Sequence, residues 1–240
     1  EIVFRPHGIY MDGDRLYVIS HEKEPGLHPV LIYRVTGGQL DFERMVNHPL
    51  LISPNALVTG PDGAIYVVND SGKRGSMAEK ILRLKRAGVI RLERVSDTAW
   101  AGKEVASGLG YPAGINRIGN RLFVGDAIQH KIHTYTIKGD TLIPGPAIKE
   151  VKGNDNLRVH NGQLLTTGHI SQVRFIRHVN DPEKPSPVVV YRVDPDAGSV
   201  RSIFGTDGSA ISAGSTAILY REHLYIGQIF EPYLLKVTMK

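Results

Sequence analysis

The chain has 240 residues, 41% hydrophobic and 22% charged, with 26 glycines and 14 prolines, a balance that excludes a disordered or collagen-like chain and has room for one large all-β domain. It has no cysteine, which excludes a disulfide framework, a thiol nucleophile and a thiolate metal site; no apolar run approaches the roughly 20 residues of a membrane-spanning helix, and no signal peptide is recognisable. The 29 Lys and Arg exceed the 24 Asp and Glu to give a net charge of +5, but the basic residues are dispersed, as in Arg83, Lys85, Arg86, Arg91 and Arg94, so no nucleic-acid partner is expected.

In chain order, one four-strand unit recurs. The first unit opens with an inner strand at Pro6-His7-Gly8-Ile9, turns at Gly13-Asp14 into a second strand over 15–19, and continues with strands over 30–35 and 41–46. A second unit opens at Pro54-Asn55-Ala56-Leu57, turns at Asp62-Gly63 into 65–68, and has its third strand predicted over 80–85. A third opens at Pro112-Ala113-Gly114-Ile115-Asn116, turns at Gly119-Asn120 into 121–124, and continues over 131–137. A fourth opens at Asp155-Asn156-Leu157, turns at Asn161-Gly162, and continues over 188–193 and 199–204. The last opens at Ser215-Thr216-Ala217-Ile218, follows with Leu224-Tyr225-Ile226 and 233–237, and stops after three strands. No helix of ordinary length is predicted.

A spacing of about 40 to 60 residues is that of propeller blades with loop insertions. The expected fold is therefore an all-β propeller, a single domain over residues 1–240, with four complete four-stranded blades and one partial blade. A propeller closes by completing one blade with strands from both chain ends. Residues 1–5 offer at most a short closing strand, so the ring is either five-bladed or lacks an N-terminal blade, in which case an N-terminal fragment would complete it.

In this architecture the start of each inner strand and the end of each second strand share one face. That register gathers His7, Asn55, Ala113, Asp155, Asn156 and Ser215 with His21, Asn69, Asp70, Asp126, His169 and Gln228 at one channel mouth. Asn and Asp oxygens suit a hard cation such as calcium, which takes six to eight of them; zinc, with its preference for His and Cys, suits the set less well. Each such residue is equally a turn residue bonding its own backbone. His7 and His21 flank the second strand of one unit and are placed to take and relay a proton, whereas His28, His48, His160, His178 and His223 read as structural or surface residues. Gly-x-Ser-x-Gly does not occur, so hydrolysis would use an activated water. The loops over 22–29 and 180–187 are expected to shape the entrance.

The run Phe4-Arg5-Pro6-His7-Gly8-Ile9, the segment Leu50-Leu51-Ile52-Ser53-Pro54-Asn55, Gly114-Ile115-Asn116, His130-Lys131-Ile132-His133 followed by Tyr135, Asp155-Asn156, Gly168-His169 and Gly214-Ser215-Thr216 resemble, in the same order, the paraoxonase and arylesterase family of six-bladed calcium-dependent lactonases. The resemblance implies a general base at His7 and a proton-relay partner at His21. It implies catalytic-calcium ligands at Asn55, Asp155 and Asn156 and a structural calcium at the carbonyl of Ile9, while the strand register itself gives His169, Asn69, Asp70 and Ser215 as channel lining. It also favours a secreted or periplasmic location. The sequence departs from the family at Ala113 and Ala56, where ligand Asn and Asp residues align. The expected activity is a calcium-dependent hydrolysis of lactones or aryl esters; the alternatives are a propeller that binds a ligand or partner without catalysis, and a strictosidine-synthase-like propeller.

Overall fold

The computed structural model describes residues 4–21, 28–73, 75, 76, 79, 82 and 84–239. Five antiparallel sheets follow one another along the chain. The first comprises β1 (Pro6–Asp12), β2 (Arg15–Ser20), β3 (Val30–Thr36) and β4 (Gln39–Val46); the second β5 (Pro54–Thr59), β6 (Ile65–Asn69), β7 (Ala87–Arg94) and β8 (Trp100–Leu109). The third holds β9 (Pro112–Ile118), β10 (Arg121–Asp126), β11 (Lys131–Lys138) and β12 (Thr141–Pro144), with the short β13 (Ile148–Lys149) also on β11. The fourth is β14 (Asn154–His160), β15 (Gln163–His169), β16 (Val188–Asp194) and β17 (Ser199–Thr206), and the fifth β18 (Gly214–Tyr220), β19 (His223–Gln228) and β20 (Leu234–Thr238). Four blades of at least four strands and one of three are those expected from the repeat.

The cores lie between consecutive blades. Ile19, Val30 and Ile32 of the first pack on Leu57, Ile65, Val67 and Ile90 of the second, and Val58, Tyr66 and Val68 of the second on Ile115, Leu122 and Val124 of the third. Phe123 and Ile132 then meet Leu157, Leu164 and Val193, and Val188 and Val190 meet Ala217, Leu224 and Ile226. Each inner strand is thus covered on both faces where it has two neighbours, and β5 is buried along its whole length. Burial on both faces is why several strands read as continuous apolar runs without polar alternation.

Two expectations are corrected. The third strand of the second blade is β7, not residues 80–85, of which 80, 81 and 83 lie outside the described residues. The alternation of Ile81, Leu82 and Leu84 with basic residues imitates a half-buried strand, yet Leu82 is exposed, whereas the run from Ala87 to Leu92 is buried throughout. The second correction is a helix, α1 (Gln172–Asn180), between β15 and β16. The Ser171 hydroxyl caps it by accepting from the Arg174 amide at 3.4 Å, and Arg177 and His178 complement the dipole in its last turn. Nine residues span too few turns for a 3.6-residue period to stand out in sequence.

Candidate active site at the channel mouth

Every inner strand slips its pairing register just after its first residue. Pro6 faces Ser20 but Ile9 faces Val18, so His7 and Gly8 bulge out of the ladder. Between Pro54 and Ala56 the extra residue is Asn55; between Pro112 and Gly114 it is Ala113; between Asn154 and Leu157 they are Asp155 and Asn156; between Gly214 and Thr216 it is Ser215. A bulge takes a residue out of the pleat and re-aims its side chain, and here five bulges aim at one place. A proline opens the first three inner strands, at the channel edge where no ladder donor is needed.

The bulged residues line a cavity of about 380 Å³ together with Tyr111, Ala127, Asn154, His169, Phe175, Gln228 and Ile229. Close approach of the blades depends on glycine. A side chain at Gly114 would stand 2.5 Å from the Asp155 carbonyl oxygen, and one at Gly8 would strike the Asn55 carbonyl.

Two amides show how the rim is prepared. Asn55 donates its amide nitrogen to Asp70 Oδ2 at 3.2 Å, and Asp70 is fixed in turn by the hydroxyls of Ser53 at 2.6 Å and Ser71 at 2.8 Å. Asn156 donates to the Ser215 hydroxyl at 3.0 Å and the Ser215 carbonyl at 3.3 Å. Neither amide oxygen receives a hydrogen bond from the described residues, so both acceptors are left to whatever enters the cavity. Asn154 spends its amide nitrogen on the carbonyls of Asp126, Lys131 and Val151, and its buried Oδ1 has no hydrogen-bond partner. With the Asp155 carboxylate these are hard oxygen donors of the kind a calcium ion takes. Ala113 contributes none, and among the described residues no three His, Asp or Glu side chains are grouped to hold a metal. The donors are of the type a hard cation takes, and they fall short of the six to eight oxygens it needs.

His7 stands exposed at the mouth with its ring centroid 4.9 Å from that of His21, and His21 lies 5.1 Å from His28, edge to face. His28 is buried and its ring meets that of His21 on the side away from solvent, although the sequence places it among structural or surface histidines. Across the cavity His169 Nε2 lies 3.4 Å from Asp155 Oδ2, and its ring packs 4.3 Å from Phe175 on α1. Phe175 belongs to the unpredicted helix and was therefore missed with it.

The remaining residues of the expected ring have other duties. Asn69 is buried, accepting from the Ser53 amide at 3.1 Å and donating to the Leu50 carbonyl at 2.7 Å, so it holds the loop behind Asn55 and does not line the cavity. Asp70 acts through Asn55 and does not line the cavity either. Asp126 is fully buried beneath Tyr111 and accepts from the amides of Gly110, Tyr111 and Gln129 and from the Gln129 side chain. Burial alone pushes its carboxyl up, but His133 and those amides outweigh it and bring it down to about 2. Ser215 and His169 line the cavity. The Ile9 carbonyl accepts from the Arg158 guanidinium at 3.3 Å.

Comparison with known proteins is consistent with this geometry. The arylesterase family profile matches residues 1–235. Serum paraoxonase/arylesterase 2 of Canis lupus familiaris is 25% identical over 250 residues, 95% of this chain and 67% of that protein. Serum paraoxonase/arylesterase 1 of Homo sapiens is 24% identical over 247 residues, 96% of this chain and 68% of that protein, so the chain spans about two thirds of the length of these relatives. Among solved structures, a functionally unknown protein from Desulfotomaculum acetoxidans superposes with a TM-score of 0.61 at 14% identity, covering 97% of this chain and 68% of that one. A gluconolactonase from Xanthomonas campestris superposes with a TM-score of 0.55 at 18% identity, covering 89% and 65%.

Proposed function

The chain belongs to the arylesterase family, and on that premise we propose that it is a hydrolase of lactones or aryl esters in which His7, backed by His21, activates water beside a calcium ion. The observation that carries this reading is the convergence of the bulged residues His7, Asn55, Asp155 and Asn156 from three blades on one cavity.

The amide oxygens of Asn55 and Asn156 and the Asp155 carboxylate would hold a calcium ion, which would supply Lewis-acid polarisation of an ester carbonyl and electrostatic stabilisation of developing negative charge. The chain's own groups do the rest. His7, in open contact with solvent, takes the proton of the attacking water, and the neighbouring ring of His21 relays it. The protonated dyad then returns a proton to the departing alkoxide or phenoxide. Phe175 and Ile229 give the acyl or aryl part an apolar wall, and the amide–Asp70 and amide–Ser215 hydrogen bonds hold the two Asn oxygens ready, so that little reorganisation accompanies binding.

Hydrolysis of a panel of γ- and δ-lactones and phenyl esters tests the proposal. His7→Gln should lower kcat by about 10²- to 10⁴-fold with an unchanged melting temperature, since the side chain is exposed, and exhaustive chelation should remove activity that calcium restores. Turnover that survives both treatments would refute the mechanism.

A further inference from the structure

Arg158 lies on the inner strand β14, two residues beyond Asn156 and past the bulge. Its guanidinium crosses the channel. Nη1 donates to the Ile9 carbonyl on β1 at 3.3 Å, and Nε donates to the Thr216 hydroxyl on β18 at 3.2 Å. One side chain thus joins the inner strands of the first, fourth and fifth blades below the rim.

We propose that Arg158 is a built-in cation at the floor of the channel, bridging three blades and occupying the Ile9 carbonyl in place of a second exchangeable metal ion. The surroundings agree with a fixed positive charge here and not with a metal. The Ile9 carbonyl, the one oxygen expected to go to a deeper ion, is already engaged. Ala56, which follows the rim residue Asn55 and touches Gly8 of β1, presents a methyl group where a donor would be needed. A divalent ion beside a guanidinium would meet strong repulsion in a partly desolvated channel. Burial pulls the Arg158 pKa down, but Asp155 and Tyr10 oppose that pull, and a guanidinium remains charged through such a shift. Three strands tied through a planar fork also gain a geometry that a lysine ammonium reproduces only in part.

The proposal is read in metal content and melting temperature, neither of which depends on turnover. Protein stripped with chelator and titrated with calcium should bind no more than one ion per chain. In chelator, Arg158→Ser should melt about 5 °C or more below the unsubstituted protein, and Arg158→Lys should recover part of the loss. If the serine variant does not accumulate as folded protein, Arg158→Lys is compared with the unsubstituted chain in its place, and a lowered melting temperature is again the expected result. Two calcium ions per chain in the unsubstituted protein, or a melting temperature in chelator indifferent to these substitutions, would overturn it. Binding of no ion at all would count against the rim site and the hydrolytic mechanism while agreeing with this inference, so the two fail separately.

Discussion

At the scale of single residues, the same register position serves opposite ends in different blades. Asn69 and Asp126 close the second strands of blades two and three and are consumed by loop backbone, whereas His169 and Gln228 close those of blades four and five and face the cavity. The buried Asp126 is the clearest case, because its carboxyl is held at about 2 in the fold against about 3.9 in an unfolded chain. A carboxyl lowered on folding contributes stability above its unfolded pKa and loses it as the pH falls through the folded one. The gap amounts to about 2.6 kcal/mol, present at neutral pH and lost between about pH 4 and pH 2. Asp126→Asn should therefore destabilise the protein at pH 7 by about that amount and flatten the acid limb of its stability curve, as measured by urea unfolding from pH 7 to 3. An unchanged acid limb would show that the carboxylate is not the group responsible. Residue type alone showed Asn and Asp at strand ends; it did not show which would be satisfied by their own loops.

At the scale of elements, strands were largely legible because turn residues such as Asp62-Gly63 and Asn161-Gly162 punctuate apolar runs at blade spacing. The bulges were not legible, since a bulge is a relation between two strands and leaves no mark on either alone. Helix α1 and strand β7 were missed for the reasons of length and burial given above, and with α1 went the apolar wall that Phe175 provides. The bulge geometry is itself testable at Gly114. A methyl group there has no room before the Asp155 carbonyl, and backbone cannot yield as a flexible side chain can. Gly114→Ala should cost about 1–3 kcal/mol and displace Asp155 and Asn156, weakening calcium binding measured by titration calorimetry far more than Gly102→Ala, whose added methyl meets the side chain of His48 at the far edge of its blade. Equal calcium affinity in the two variants would break the link between blade contact and rim.

At the scale of the whole molecule, the first and last blades carry several exposed apolar strand residues. Ile9, Met11, Phe42 and Met45 on blade one, and Ile218, Tyr220 and Leu234 on blade five, are exposed. We propose that a further four-stranded sheet seats between them, in keeping with relatives whose length this chain covers by about two thirds. Ile218→Lys should then leave the melting temperature of the 240-residue chain within the small range of surface substitutions and reduce its binding of a hydrophobic dye, while lowering the melting temperature of a longer chain that carries the extra sheet. Dye binding unaffected by the substitution would count against an exposed apolar face. What the sequence determined by itself was the repeat, hence an all-β propeller, with His7, Asn55, Asp155 and Asn156 at the starts of inner strands and His21 at the end of a second strand, because hydrophobic period and turn chemistry are local and recur along the chain. The tertiary structure alone decided that the amide oxygens of Asn55 and Asn156 accept no hydrogen bond from the described residues, that His28 meets His21 and Phe175 lines the cavity, and that Arg158 claims the Ile9 carbonyl. Those facts depend on which blades face each other across the channel, and contacts between β14, β1 and β18 join residues too far apart in sequence for any local pattern to record.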